Sequence, residues 1–230
     1  MDKIKKVKSI SIWVFIIPFI ALNACLILIT QFHGLFPNPE HIISNTIPYI
    51  DGQVSISRTA RVFPTYLIFK PAMFLTSYLL IKYWLYSKEI ILSFKKDHKN
   101  IKYIIFFGIG SAILLTLHSI FLGIKFDNDL YKLFRRVVML SFIIFELVAQ
   151  TYLVITYYSF KNDLLKFINQ KFLKMKLILV SMLILVALIS TPIVTMPGNK
   201  FLKHILEWDF FIGVISFYLL TFFMWKNKNK

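Results

Sequence analysis

The chain has 230 residues, 57% of them hydrophobic and 17% aromatic, with a mean hydropathy of +0.68 and a formal net charge of +16. That apolar share exceeds what a water-soluble core of this length needs and points to a membrane protein. The positive charge falls in short lysine clusters between long apolar runs, not on one soluble face, which argues against nucleic acid as a partner.

A bilayer core of ~30 Å is crossed by about 20 apolar residues in a helix. Six runs reach that length, at 10–31, 64–86, 101–124, 134–158, 175–194 and 204–225. The first follows Lys3, Lys5, Lys6 and Lys8 and contains Cys25, the single cysteine, which reads as a small apolar residue. One cysteine excludes an intrachain disulfide, and neither a metal site nor a cofactor is implied.

The longest polar stretch, 32–63, separates the first two runs and ends in "PYIDGQVSISRTARVFP". The second run encloses Lys70 and Lys82, and Lys88, Lys95, Lys96, Lys99 and Lys102 follow it. His118 lies near the end of the third run. Lys125 and Lys132 lead into the fourth, which opens with Arg135 and Arg136 and carries Glu146 and Gln150 half-way along, one helical turn apart. Lys161, Lys166, Lys171 and Lys174 precede the fifth run, and Lys176, at its very start, is counted with that loop. Lys200 and Lys203 precede the sixth, whose start holds His204, Glu207 and Asp209, and Lys226, Lys228 and Lys230 follow it.

Lysine and arginine are denser on the side that carries both termini, which predicts cytoplasmic termini and six spans. The expected fold is therefore all-α: one polytopic helical bundle over residues 1–230, with stretch 32–63 an ordered loop on the outer side. Trp13, Trp84 and Trp225 fall near inner span ends and Trp208 near an outer one, as in an interfacial aromatic belt.

Ionisable groups at membrane depth are functional candidates. Glu146 with Gln150 also fits an interhelical hydrogen-bond pair, and His118 a satisfied core histidine. Glu207, at the start of a membrane helix, also fits capping of that helix. The topology sets His118, Glu207, Asp209, Arg135, Arg136 and the 48–64 segment at one depth.

Three features together resemble the DRAM/FRAG/SFK membrane family, which includes autophagy modulators, GPI-anchor remodelling proteins and the N-terminal domain of CWH-type proteins. They are the loop "PYIDGQVSISRTARVFPTYLIF", the "LHSIFLG" of the third run and the "EWDFFIGVISFYLLTFF" of the sixth. The resemblance implies six spans. It assigns Pro48, Tyr49, Ile50, Asp51 and Gly52 to the family's loop motif, and Pro64, Ile68 and Phe69 to the entry of span two. His118 takes the place of the span-three histidine, and Glu207 with Trp208 that of the pair opening span six. The chain departs from the family in reading "YIDG" and in inserting "SISRTAR" before the next proline.

Three functions stay open at this point. In the first, membrane lipids are the partners, and an anionic head group is held at the outer leaflet by Arg58, Arg61, Arg135 and Arg136 with Ser55 and Ser57 beside them. The second is an embedded acyl-transfer or hydrolytic enzyme with His118 as base, oriented by Glu207 or Asp51; no nucleophile motif accompanies it, so the chain leans away from catalysis. The third is a small proton-coupled carrier using Glu146 and His118. A composition rich in Lys, Ile and Asn points to a bacterial cytoplasmic membrane.

Overall fold

A computed structural model describes residues 2–43, 46–95, 98–124, 128–196 and 198–226, with the backbone alone at 193–195. Lys96, Lys125, Lys228 and Lys230, counted in the charge pattern, lie outside the described residues. In chain order the helices are α1 (Asp2–Gln31), α2 (Pro48–Asp51), α3 (Ile56–Ala60), α4 (Tyr66–Phe94), α5 (Ile101–Phe121), α6 (Asp129–Ser159), α7 (Lys161–Leu164), α8 (Gln170–Thr195) and α9 (Lys200–Met224). Two single 3-10 turns, His33–Leu35 and Pro39–His41, link α1 to α2.

Five helices, α1, α5, α6, α8 and α9, are long and apolar enough to cross a membrane. The remaining long helix, α4, has 29 residues, but Lys70, Lys82, Lys88 and Glu89 together with its tyrosines and hydroxyls dilute its apolar content. Side-chain caps define several starts: Asn128 Oδ1 accepts from the Leu130 amide at 2.9 Å before α6, and Asn169 Oδ1 from the Lys171 amide at 3.0 Å before α8.

The six long helices pack in cyclic order, α1 on α4, α4 on α5, α5 on α6, α6 on α8, α8 on α9, and α9 back on α1. They alternate in direction, so both chain ends lie at one end of the bundle. There the Lys3 ammonium pairs with Glu89 at 3.1 Å and Lys8 Nζ donates to the Trp225 carbonyl at 2.8 Å. A backbone clasp closes the same end, with the Asn169 amide on the Met224 carbonyl at 2.8 Å and the Lys226 amide on the Phe167 carbonyl at 2.9 Å. The opposite end carries α2 and α3.

The middle of the ring is filled by aromatic groups. Tyr83 meets both Trp84 and Tyr218 edge to face, at 5.1 and 4.8 Å between centroids, and Tyr157 meets Trp225 the same way at 5.7 Å. Gly108 lets α5 approach α4 closely, because the Trp84 indole fills the space that a Cβ would take. Three of the four tryptophans, Trp84, Trp208 and Trp225, are fully buried and only Trp13 is exposed, so the expected interfacial belt is not formed. Trp225 closes α9, whereas Trp84 and Trp208 lie two or more turns inside α4 and α9, and all three are on inward faces.

Lys176 also departs from the sequence reading. Counted there as a loop lysine, it lies inside α8, wholly buried, its Nζ donating to Thr221 Oγ1 of α9 at 2.7 Å and seated 3.7 Å from the Phe217 ring centroid.

Candidate functional site

The polar segment between α1 and α4 is folded down onto the first turns of α9. Asp51 closes α2 by local bonding: its carboxylate accepts from the Thr46 hydroxyl at 2.8 Å, the Ile47 amide at 2.8 Å and the Gln53 amide at 3.0 Å. Burial alone would raise its pKa, but these three donors together outweigh it and hold the group below the usual carboxylate range. Gly52 then turns the chain with φ at +61°, in the left-handed region that suits glycine. It lies so close to the backbone of Phe201 that a Cβ would overlap the Phe201 carbonyl.

α9 holds this segment with three side chains, His204 on one turn and Glu207 with Trp208 on the next. His204 Nδ1 hydrogen-bonds the Gly52 carbonyl at 2.6 Å, Trp208 Nε1 donates to the buried Val54 carbonyl at 2.9 Å, and the Trp208 indole meets Tyr49 edge to face at 4.9 Å. The Glu207 carboxylate takes hydrogen bonds from the Ile56 and Ser57 amides at the start of α3. Glu207 therefore caps α3, and not its own helix, whose start lies two turns earlier at Lys200. Tyr49 OH donates to Asn23 Oδ1 of α1 at 3.1 Å, which fastens the other side.

Beyond this junction Arg61, just after α3, meets the turn that follows α5. The Ser55 hydroxyl caps α3 by accepting from the Arg58 amide at 3.2 Å and lies 3.3 Å from the Ser57 hydroxyl. Arg58 Nη2 donates to the Glu40 carbonyl at 3.2 Å. Arg61 follows the last turn of α3, its backbone and Cβ seated against the turn at Gly123 after α5. Tyr131 OH donates to the Phe121 carbonyl at 3.1 Å, binding the start of α6 to the same place, and the Arg135 guanidinium stands 6.0 Å from the Tyr131 ring centroid.

Burial, and then the nearby Arg135 and Arg58 guanidiniums, draw Arg61 below the usual arginine range. The ion pairs among the described residues are Lys3–Glu89, Lys6–Asp2 and Lys132–Asp129, so no carboxylate among the described residues neutralises this trio. Arg135 Nε is buried without a hydrogen-bond partner among the described residues. Arg136 is exposed and makes no ion pair or hydrogen bond among the described residues, because consecutive helix positions point about 100° apart. Asp209 is exposed as well.

His118 lies near Arg135, and among the described residues no hydrogen bond or ion pair joins it to Glu207 or Asp51. Both carboxylates serve the loop's backbone amides instead. Among the described residues no cluster of three or more His, Cys, Asp or Glu could hold a metal ion.

Glu146 and Gln150 sit at a separate place, inside the bundle and fully buried. The Glu146 carboxylate accepts from Ser111 Oγ of α5 at 2.6 Å, from Gln150 Nε2 at 2.9 Å and from the Tyr218 hydroxyl of α9. Gln150 Nε2 also reaches the Val214 carbonyl at 3.2 Å. The pair thus ties α5, α6 and α9 together. Sequence reasoning set Glu146 and Gln150 on one face but missed Tyr218 and Ser111, whose hydroxyls look ordinary in an apolar helix. No family model, curated protein or solved structure matches the chain.

Proposed function

We propose that the chain is a six-span protein of a bacterial cytoplasmic membrane, with α4 as the sixth span and both termini cytoplasmic. It holds the anionic head group of a lipid at the outer-leaflet end of the bundle. The observation that carries this reading is the convergence of Arg58, Arg61 and Arg135 without a counter-carboxylate among the described residues. Like charges brought together in partial burial repel, and a phosphate oxygen is the partner that relieves them with charge-assisted hydrogen bonds. The buried Nε of Arg135 supplies a donor already stripped of water.

The likeness to the DRAM/FRAG/SFK family is proposed on the same footing. Its support is that Tyr49 of the loop motif and Trp208 of the Glu207–Trp208 pair, far apart in the chain, meet edge to face. The test is mass spectrometry of the lipids that co-purify with the protein. Arg61→Ala combined with Arg135→Ala removes two charge-assisted contacts and is expected to lower retention of one anionic phospholipid roughly tenfold or more. Arg136→Ala leaves it unchanged. Equal lipid content in the double variant and the parent overturns the reading.

A further inference from the structure

The polar knot around Glu146 contains one more hydrogen bond than its partners can supply to an ionised carboxylate. Ser111 Oγ stands 2.6 Å from Glu146 Oε2 and 2.8 Å from the Gly108 carbonyl, one turn back on α5. Gln150 Nε2 stands 2.9 Å from Glu146 Oε1 and 3.2 Å from the Val214 carbonyl of α9. The Tyr218 hydroxyl meets Glu146 Oε1 as well. Each of these five bonds needs a hydrogen of its own. A serine hydroxyl has one, a tyrosine hydroxyl one and a glutamine amide two, so the partners bring four.

The shortfall lies at Ser111. Its single hydrogen goes either to the Gly108 carbonyl or to Glu146, and a carbonyl has none to give in return. Turning the Gln150 amide over does not help, because its oxygen would then face the Val214 carbonyl oxygen with no hydrogen between them. Nor does a cation steady Glu146 as an anion, since it is fully buried and belongs to no ion pair among the described residues. The titratable groups that bear on it are two phenols, Tyr218 from α9 and Tyr83 from α4, while α5 brings the Ser111 hydroxyl. A buried carboxylate without a counter-charge is costly, whereas the acid is not.

We infer that Glu146 is a proton-binding site in the bundle interior, holding one proton on Oε2 at neutral pH and donating it to Ser111 Oγ. The bond to Ser111 then runs from Glu146 to the hydroxyl, the reverse of its direction for a carboxylate. Ser111 donates onward to the Gly108 carbonyl, and Oε1 stays an acceptor for Gln150 and Tyr218. All five bonds are filled, and the knot that joins α5, α6 and α9 is neutral. A metal cation would find both oxygens of Glu146 already committed to these partners. The site is separate from the arginine cluster and does not depend on it.

Infrared spectroscopy of the full chain in lipid nanodiscs at neutral pH tests this through the carbonyl stretch of a protonated carboxyl. The difference between the parent and Glu146→Gln is expected to be the loss of a band with the area of one carboxyl per chain. The glutamine amide offers a donor and an acceptor on the same two sides as the acid, so this variant keeps the fold. In Tyr218→Phe, which removes one donor to Oε1, the same band is expected at higher frequency with its area kept. Spectra of the parent and Glu146→Gln that coincide in this region overturn the inference. So does a Glu146→Gln chain that fails to fold, because a neutral isostere of the acid is then not accepted. A band that stays in place in folded Tyr218→Phe overturns it too; if that variant does not fold, the comparison with Glu146→Gln decides alone.

Discussion

Replacing Gly52 with alanine attacks the junction between the loop and α9 at its narrowest point. Two costs arise. An L-residue held at φ +61° costs roughly 1–2 kcal/mol. The added Cβ also overlaps the Phe201 carbonyl, which belongs to a helix backbone and cannot rotate aside, so Gly52 must lift away. Lifting breaks the 2.6 Å bond from its carbonyl to His204, worth about 0.5–1.5 kcal/mol net. The total of roughly 1.5–3.5 kcal/mol raises the fraction of molecules with an opened loop by about 10- to 300-fold, at tenfold per 1.4 kcal/mol. Arg58 and Arg61 make this measurable, because trypsin cleaves after arginine and reaches a folded segment only when it opens. Cleavage at Arg58–Thr59 and Arg61–Val62, identified by mass, is expected to accelerate by that factor in Gly52→Ala. A variant cut no faster than the parent would refute the argument that the left-handed turn and its contact with Phe201 hold the loop down.

Asp51 makes the same loop acid-sensitive. Its folded pKa is held below the ordinary value of 3.8, so its contribution to loop order is complete above that value and is lost as pH falls through the folded pKa. Hydrogen exchange at the Ile47 and Gln53 amides, corrected for intrinsic rates, is expected to rise in that acid window; in Asp51→Asn it is faster at neutral pH and flat with acid. Gly108→Val drives a branched side chain into the Trp84 indole and should cost about 1–3 kcal/mol of bundle stability by thermal melting in detergent. Gly108→Ala should cost less, and a melting point unmoved in the valine variant would show that α4 and α5 are not packed through this contact.

The helical frame was legible because apolar runs long enough to cross a bilayer leave few other options. Helix ends were not, since hydropathy is blind to turns that continue past the apolar region. α1 starts at Asp2, eight residues before its apolar run, and α9 at Lys200. That shift moved Glu207 from a helix start to two turns inside, where it serves α3. Arg135 and Arg136 are adjacent in sequence and were read together, yet a helix separates them by direction. A lysine at the edge of a basic cluster and an apolar run looks like an anchor, so Lys176 revealed itself only through Thr221, 45 positions along the chain. Glu146 and Gln150 were recognisable because a four-residue spacing is itself a statement about one helix face.

The position of α9 in the chain has a consequence for biogenesis. It follows every helix it serves, and it supplies Tyr218 to Glu146, Thr221 to Lys176, and His204 and Trp208 to the loop. A ribosome delivers those partners last. Until α9 enters the bilayer, α6 and α8 each carry an ionisable group with its closing contact missing, and the 48–64 segment has no surface to settle on. Assembly of these contacts therefore waits for α9, so a chain stalled before Lys200 presents quality-control proteases with an unsatisfied polar interior and an unanchored loop.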